Sequence, residues 1–399
     1  MKVYQINVVC GNGSTGRIAA DLSRAIHKNG GKCRIGYGRG DSPEDIDSFK
    51  VGNKVDLYLH ALLTRITDRH GLYSRRNTQK LITDICDFGP DIIHLHNIHG
   101  YFLNYEMLFR FLYEYGKPVV WTMHDCWAFT GHCAHYESVG CNQWKRSCAH
   151  CSNLKAYPSS WNGRHVQENF FRKKKSFCSV NNLTIVTPSA WLHQQLCESF
   201  FCNYPRIIFH NGIDMKQFKP CPNDIKRQLK IGERKLILGV AGKWTRNKGL
   251  NDFITLRNML NNEYIICLVG VSKKQSKELP PGIVGILNVK NTYELSEYYT
   301  AADVFLNLTY EDTFPTTNIE ALACGTPVLT YQTGGSAESI TPECGVVVNK
   351  GDLQTVVHLL YSTDWNSKSA CRERAKIFQK EDCYRNYICL YQELERERY

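Results

Sequence analysis

Short runs rich in Val, Ile and Leu, closed off by Gly, Pro or Asn, alternate along this chain with stretches whose apolar residues return every three or four positions. The first pattern is that of strands buried on both faces, the second that of helices with one apolar stripe. Residues 2–9 read as a strand, followed by a glycine-rich turn and a helix over about 15–29. Residues 91–96, 118–124 and 184–188 read as further strands, the last leading into a helix from Ser189. The pattern restarts at 235–241 and continues through strands at 264–270 and 304–308, with a helix opening near Thr316. This alternation predicts an α/β chain of parallel sheets covered by helices.

At 399 residues the chain is long enough for two or three domains. The break is expected near His210-Asn-Gly-Ile-Asp214 and Lys219-Pro-Cys-Pro222, where turn chemistry interrupts the alternation. It divides the chain into domains over 1–209 and 210–380, followed by an amphipathic terminal segment, 381–399.

Most of the candidate chemistry sits in Tyr310-Glu-Asp-Thr-Phe-Pro-Thr-Thr-Asn-Ile-Glu-Ala-Leu-Ala-Cys-Gly-Thr-Pro-Val-Leu329. The segment leaves a strand and enters a helix, with Glu311 and Asp312 at the entrance and Glu320 one turn in. Between them, residues 313–317 lie where helix amides lack an intrahelical partner and the macrodipole favours an anion. Free amides beside carboxylates suit a ligand that is both phosphate and polyol. A nucleotide-sugar is such a ligand.

The same segment resembles the E-x7-E signature of retaining glycosyltransferases of family 4. Their GT-B fold sets two Rossmann-like domains facing each other across a cleft. Asp312 takes the first carboxylate position, Glu320 the second, and Phe314 the aromatic position between them. The following Cys-Gly-Thr-Pro-Val run and Gly334-Gly335-Ser-Ala-Glu338 also match. Asp stands where the family has Glu, with Glu311 beside it, so the choice between these two as the donor contact stays open. The resemblance covers nearly the whole chain. It implies that Glu311, Phe314, Pro315, Thr316 and Thr317 line the donor site. It also implies that 381–399 crosses back to the first domain, a helix confined to the second domain being the alternative.

Gly242-Lys243-Trp-Thr-Arg-Asn-Lys248-Gly249 resembles the family's Gly-Arg…Lys-Gly loop, whose cations neutralise the donor diphosphate as charge builds on it. Lys243 replaces an arginine, a point charge in place of a fork, and Arg246 supplies another cation nearby. With fixed cations the chemistry requires no metal cofactor. Gly13 and Ser14, within Cys10-Gly-Asn-Gly-Ser-Thr-Gly-Arg17, align with the family's Gly-Gly loop beside the donor phosphates and acceptor. No Gly-Lys-Ser/Thr follows, so this is not a Walker loop. His124 closes a strand at the end where open α/β sheets place ligands. It matches a family histidine that contacts the donor sugar. The resemblance assigns it to positioning and electrostatics, because in the family's front-face mechanism the leaving phosphate takes the acceptor proton. His94, His96 and His99 crowd the preceding strand end, unranked.

The chain opens on a strand containing Gln and Asn rather than a secretory leader, and no apolar run reaches the ~20 residues that span a bilayer. A cytoplasmic protein with reduced thiols is expected, and the 18 cysteines are read in that light. Within the insertion 126–151, Cys133, Cys141, Cys148 and Cys151 supply four thiolates, enough for a closed structural zinc site. Only Cys148 and Cys151 have familiar metal-site spacing, so buried free thiols and a redox pair remain alternatives. A similar insertion occurs in family members of the capsule and colanic-acid type, and here it is expected on the acceptor side.

The net charge of +11 is concentrated in residues 1–200, which hold 24 Lys and Arg against 16 Asp and Glu. That excess suits an anionic partner such as a lipid diphosphate or a membrane surface, with nucleic acid as the competitor. Phe170-Phe-Arg-Lys-Lys-Lys175-Ser-Phe177 is expected either on the membrane surface or as a helix with Phe inward and Lys in water. The function expected is transfer of a hexose from a UDP- or GDP-sugar to a glycan or polyprenyl-diphosphate-linked saccharide in cell-surface polysaccharide synthesis. The place expected is the cytoplasm, with peripheral contact at the inner membrane leaflet. The alternatives are another GT-B enzyme, such as a sugar-nucleotide epimerase or a phosphorylase, and a zinc-stabilised nucleic-acid-binding protein. The last leaves the loops around Lys248 and Asp312 unexplained, so no nucleic-acid partner is expected.

Overall fold

In the computed structural model residues 1–396 are described. Residues 397–399, the tail of the expected terminal helix, lie outside the described residues. The N-terminal sheet holds β1 (Lys2–Val9), β2 (Lys32–Arg39), β3 (Ser48–Lys50), β4 (Ile92–Leu95), β5 (Val119–Thr122), β6 (Leu183–Thr187) and β7 (Arg206–Ile208). Their order is β3-β2-β1-β4-β5-β6-β7, and every neighbouring pair is parallel. The second sheet holds β8 (Lys235–Val240), β9 (Tyr264–Val269), β10 (Ile283–Ile286), β11 (Val304–Asn307), β12 (Val328–Tyr331) and β13 (Gly345–Val348). It is also parallel throughout, in the order β10-β9-β8-β11-β12-β13.

Every residue of β5, β6 and β9 is buried, which is why these segments read as continuous apolar runs rather than alternating ones. The chain forms two compact units, Met1–His210 joined by the C-terminal helix from Tyr384, and Asn211–Cys383. That helix, Lys380–Arg396, places Tyr384, Tyr387, Ile388 and Tyr391 in one apolar cluster with Val3, Leu22 and Val120. Two phenols fix it further: Tyr391 Oη lies 2.6 Å from His94 Nδ1, and Tyr387 Oη 3.1 Å from Thr122 Oγ1.

The basic segment forms a helix with Phe170 and Phe177 inward and Lys174 and Lys175 exposed, as one of its two expected forms requires, but Lys173 departs from it. In the helix Val166–Phe177, Phe170 and Phe177 are core residues, and Lys173 points inward with them. Its ammonium donates to Trp127 O (2.7 Å) and Thr130 O (3.0 Å) and sits 3.7 Å from the Trp127 ring centroid. Burial pushes its pKa down to about 7. A cation can be buried this way because two carbonyls and an aromatic face replace its water.

Candidate active site

Strand order reverses in the second sheet between β8 and β11, and open α/β sheets bind ligands at the carboxyl ends of the strands at such a point. Two loops leave there, and they are tied together. Tyr310 N donates to Asn247 O (2.8 Å), Asn247 Nδ2 to Glu311 Oε2 (2.7 Å), and Lys248 Nζ to Asp312 Oδ2 (2.7 Å). Gly249 permits this approach. Its φ is +80°, and a Cβ there would lie 2.2 Å from Leu308 O.

Asp312 is held from both sides, since its Oδ1 also accepts from Phe314 N at 3.2 Å. The chain then enters the helix Thr316–Ala323 through Pro315, with no side-chain cap on its first amides. Thr316 and Thr317 are half-exposed there. Asn318 pins this helix by donating to Ser336 and Ser339 and accepting from Asn307 Nδ2 at 2.7 Å. Glu320 is 3% exposed, and its Oε2 accepts from Tyr299 Oη at 2.9 Å. Phe314 is buried against Phe378, so its ring serves the core and its backbone serves the loop.

A cavity of about 570 Å³ adjoins the β8 loop, lined by Gly242, Lys243, Gly270, Ser272, Lys273 and Gln275 among others. Lys243 and Arg246 are exposed. Buried Trp244 anchors the loop between them, its indole donating to Val269 O at 2.9 Å. Asn247, between two cations, carries no sequence signal of its own, and the segment after β9 carries only a weak one. Gly270 at a strand's carboxyl end was the signal for the latter.

In the N-terminal unit, Gly13 and Ser14 open the helix Gly13–Lys28 behind Asn12, which makes no side-chain cap. His124 follows β5 and completes a column of buried rings. His96 Nδ1 lies 3.1 Å from His124 Nε2, His96 Nε2 2.8 Å from Gln5 Oε1, and the rings of His94 and His96 are 4.0 Å apart. Burial holds His124 down at about 4 and keeps His94 and His96 well below the ordinary histidine range, so all three are neutral. The structure therefore ranks the crowded histidines. His94 and His96 are sealed, whereas His99 pairs at 2.7 Å with Asp125, which also follows β5. Burial works to raise the Asp125 carboxyl, but the charge and hydrogen bond of His99 outweigh it and bring the pKa to about 2.

The structure brings together the four cysteines expected to hold zinc, Cys133, Cys141, Cys148 and Cys151. The four residues line one small cavity, together with Tyr136 and Trp144. Among the described residues, however, no group of three or more His, Cys, Asp or Glu is placed to hold a metal ion. Two of the four thiols interact directly. Cys133 donates to Cys151, which holds the Cys151 thiol low, while burial raises Cys148 to about 11. Trp144 stacks on Tyr136 with ring centroids 5.0 Å apart, so aromatic packing closes the insertion.

Two doubly wound units in one chain, the second with cations and carboxylates knotted at its switch point, define a glycosyltransferase of the GT-B fold. Residues 223–377 match the family model described as Glycosyl transferases group 1, and residues 15–217 the one described as Glycosyltransferase Family 4. The chain belongs to this family of glycosyltransferases. It is 25% identical over 379 residues to a putative colanic acid biosynthesis glycosyl transferase of Escherichia coli, WcaC, with 90% of each chain covered. Its fold is similar to that of sucrose-phosphate synthase from Thermosynechococcus elongatus, with a TM-score of 0.71 at 17% identity and 98% of each chain covered. It is similar also to that of the Anabaena protein HepE solved with UDP-glucose, with a TM-score of 0.67 at 13% identity, covering 98% of this chain and all of that one.

Proposed function

We propose that this chain transfers a hexose, with retention of anomeric configuration, from a UDP- or GDP-sugar to a saccharide acceptor in cell-surface polysaccharide synthesis. The observation that carries the reading is the pairing of Lys248 with Asp312 and of Asn247 with Glu311 at the β8–β11 switch point. Likeness to the colanic acid enzyme supports the polysaccharide role, and the HepE complex supports a nucleotide-sugar donor. Lys243, Arg246 and Lys248 are assigned to the diphosphate, the amides of 313–317 to its oxygens or the hexose, and Glu320 to the ribose. Asp312 is assigned to positioning Lys248, and Glu311, held by Asn247, to the donor side. Gly13, Ser14 and His124, at the ligand edge of the N-terminal sheet, are assigned to sugar and acceptor.

The bond from the anomeric carbon to the diphosphate oxygen breaks, and the acceptor oxygen bonds to that carbon on the same face. The departing phosphate takes the acceptor proton, so fixed cations supply the charge stabilisation. A polyprenyl-diphosphate-linked saccharide is the acceptor class that fits the basic N-terminal half. The test is incubation with a panel of UDP- and GDP-sugars and lipid-linked saccharides, reading nucleotide release and product anomer by NMR. Product of inverted configuration, or epimerised donor without transfer, overturns the reading.

A further inference from the structure

The helix Lys54–Thr67 turns most of its bulky apolar residues outward. Asn53 caps it, its side chain accepting from Val55 N and Asp56 N while Asp56 accepts from Asn53 N, so its start is fixed. Its fully buried residues, His60, Ala61 and Thr64, are polar or small, and Leu57 beside them packs partly buried against the core. His60 bonds to Ser74 Oγ (2.7 Å) and accepts from Gly71 N (3.2 Å). Its outward residues are the bulky apolar ones, with Val55 73%, Tyr58 76%, Leu59 54%, Leu62 44% and Ile66 47% exposed. On a helix these five positions fall within a stripe of about 100°, the width that normally faces a core. Trp161, 68% exposed, extends the patch at the helix's C-terminal end, where its amide donates to Arg65 O at 3.0 Å. Five bulky apolar residues exposed along one stripe, with Trp161 at its end, differ from the singly scattered apolar residues of an ordinary surface.

We propose that this face docks the protein on an anionic lipid surface. The charges around it select that occupant. Lys54 and Arg65 lie on the helix, and its one acidic residue, Asp56, is spent on the cap. Arg75 and Arg76 open the next helix, directly after the Ser74 that holds His60, and Arg164 follows Trp161 by three residues. Aliphatic residues with Tyr and Trp enter the headgroup boundary while lysine and arginine reach the phosphates. A second copy of this chain would instead bring the same cations against these. The inner face supplies a functional reason for docking here. Ring centroids step from His60 to His70 (6.3 Å) and from His70 to His99 (6.4 Å), and His99 is the partner of Asp125 at the ligand edge of the N-terminal sheet. The inference goes beyond the transferase reading and does not depend on turnover.

The experiment is vesicle co-sedimentation of the full chain and of a Leu59→Gln/Leu62→Gln variant. One set of vesicles is phosphatidylglycerol with phosphatidylethanolamine, the other phosphatidylcholine alone. The parent is expected on the anionic vesicles only, and the variant to bind them at least about tenfold more weakly. Melting temperature and nucleotide-induced thermal shift should be unchanged, since both side chains already face solvent. Tyr58→Gln gives the same reading should the double variant lose stability. On anionic vesicles the tryptophan emission should shift to the blue in the parent and shift less in Trp161→Phe. Failure of the parent to bind, equal binding to phosphatidylcholine, or undiminished binding by the variants overturns the proposal. So does a parent dimer in sedimentation equilibrium that the substitutions dissociate.

Discussion

Lys248 Nζ lies 2.7 Å from Asp312 Oδ2, although the two residues leave different strands 64 positions apart in the chain. The pair is partly exposed, at 39% and 22%, so its direct worth to stability is under about 1 kcal/mol. Its role is positional: the carboxylate holds the ammonium where a phosphate would meet it. Lys248→Ala should therefore cost about 2–4 kcal/mol in transition-state stabilisation, read mainly as lost turnover. Asp312→Asn should also lower turnover, yet leave nucleoside diphosphate affinity intact, because the cation remains. Calorimetry of both variants checks this. Parallel loss of affinity in the two would remove the distinction drawn between them.

Gly249→Ala tests the approach of the two loops. The substitution forces an L side chain to a φ of +80° and aims its Cβ at Leu308 O. Destabilisation of more than about 1 kcal/mol is expected. Because the same approach fixes where Lys248 itself stands, and not only its pairing with Asp312, nucleotide affinity should fall as well. An alanine variant with parental melting temperature and affinity would show that the approach is not required.

The sheets were legible because their strands are buried on both faces, leaving short stretches rich in Val, Ile and Leu within 91–96, 118–124 and 264–270. The donor loops were legible because chemistry needed at a strand end is written in consecutive residues. Lys173 was not, since its burial depends on Trp127 and Thr130, 46 and 43 residues away. The outward face of Lys54–Thr67 escaped for a related reason. Its periodicity is that of an ordinary amphipathic helix, and only the fold reveals that the apolar side faces out. The cysteine spacing brought four thiols to one cavity, and spacing alone does not separate thiols that pack from thiols that ligate.

Glu320→Gln examines the ribose assignment. Glu320 is buried and accepts from Tyr299, and glutamine keeps one carbonyl acceptor for that phenol. The fold should persist by circular dichroism while nucleotide affinity falls. Tyr299→Phe supplies the contrast, costing about 1 kcal/mol of stability through the lost hydrogen bond. Unchanged nucleotide affinity in Glu320→Gln would place the residue outside the site.

The histidine column makes the N-terminal unit sensitive to acid. His124 titrates at about 4 in the fold, lowered by burial, and His94 and His96 lie well below the ordinary range for the same reason. In the unfolded chain each would protonate at about 6.5. Below that pH the unfolded state binds more protons than the folded one, so stability falls as pH falls. The contribution is whole above about pH 6.5 and is lost progressively down to about pH 4, where His124 itself protonates in place. Each neutral histidine removes up to about 1.4 kcal/mol per pH unit across this window. Asp125, at about 2, begins to act only at the acid end of the window, as unfolded aspartates start to protonate. Urea unfolding of this unit should therefore show a steep fall of the midpoint between about pH 6 and 5, separate from the slope that buried Lys173 imposes above about pH 7. Imidazole NMR signals of His94, His96 and His124 should stay at their neutral shifts to about pH 5. A midpoint that does not move across that range, or a His124 signal titrating near 6.5, would refute the buried neutral column.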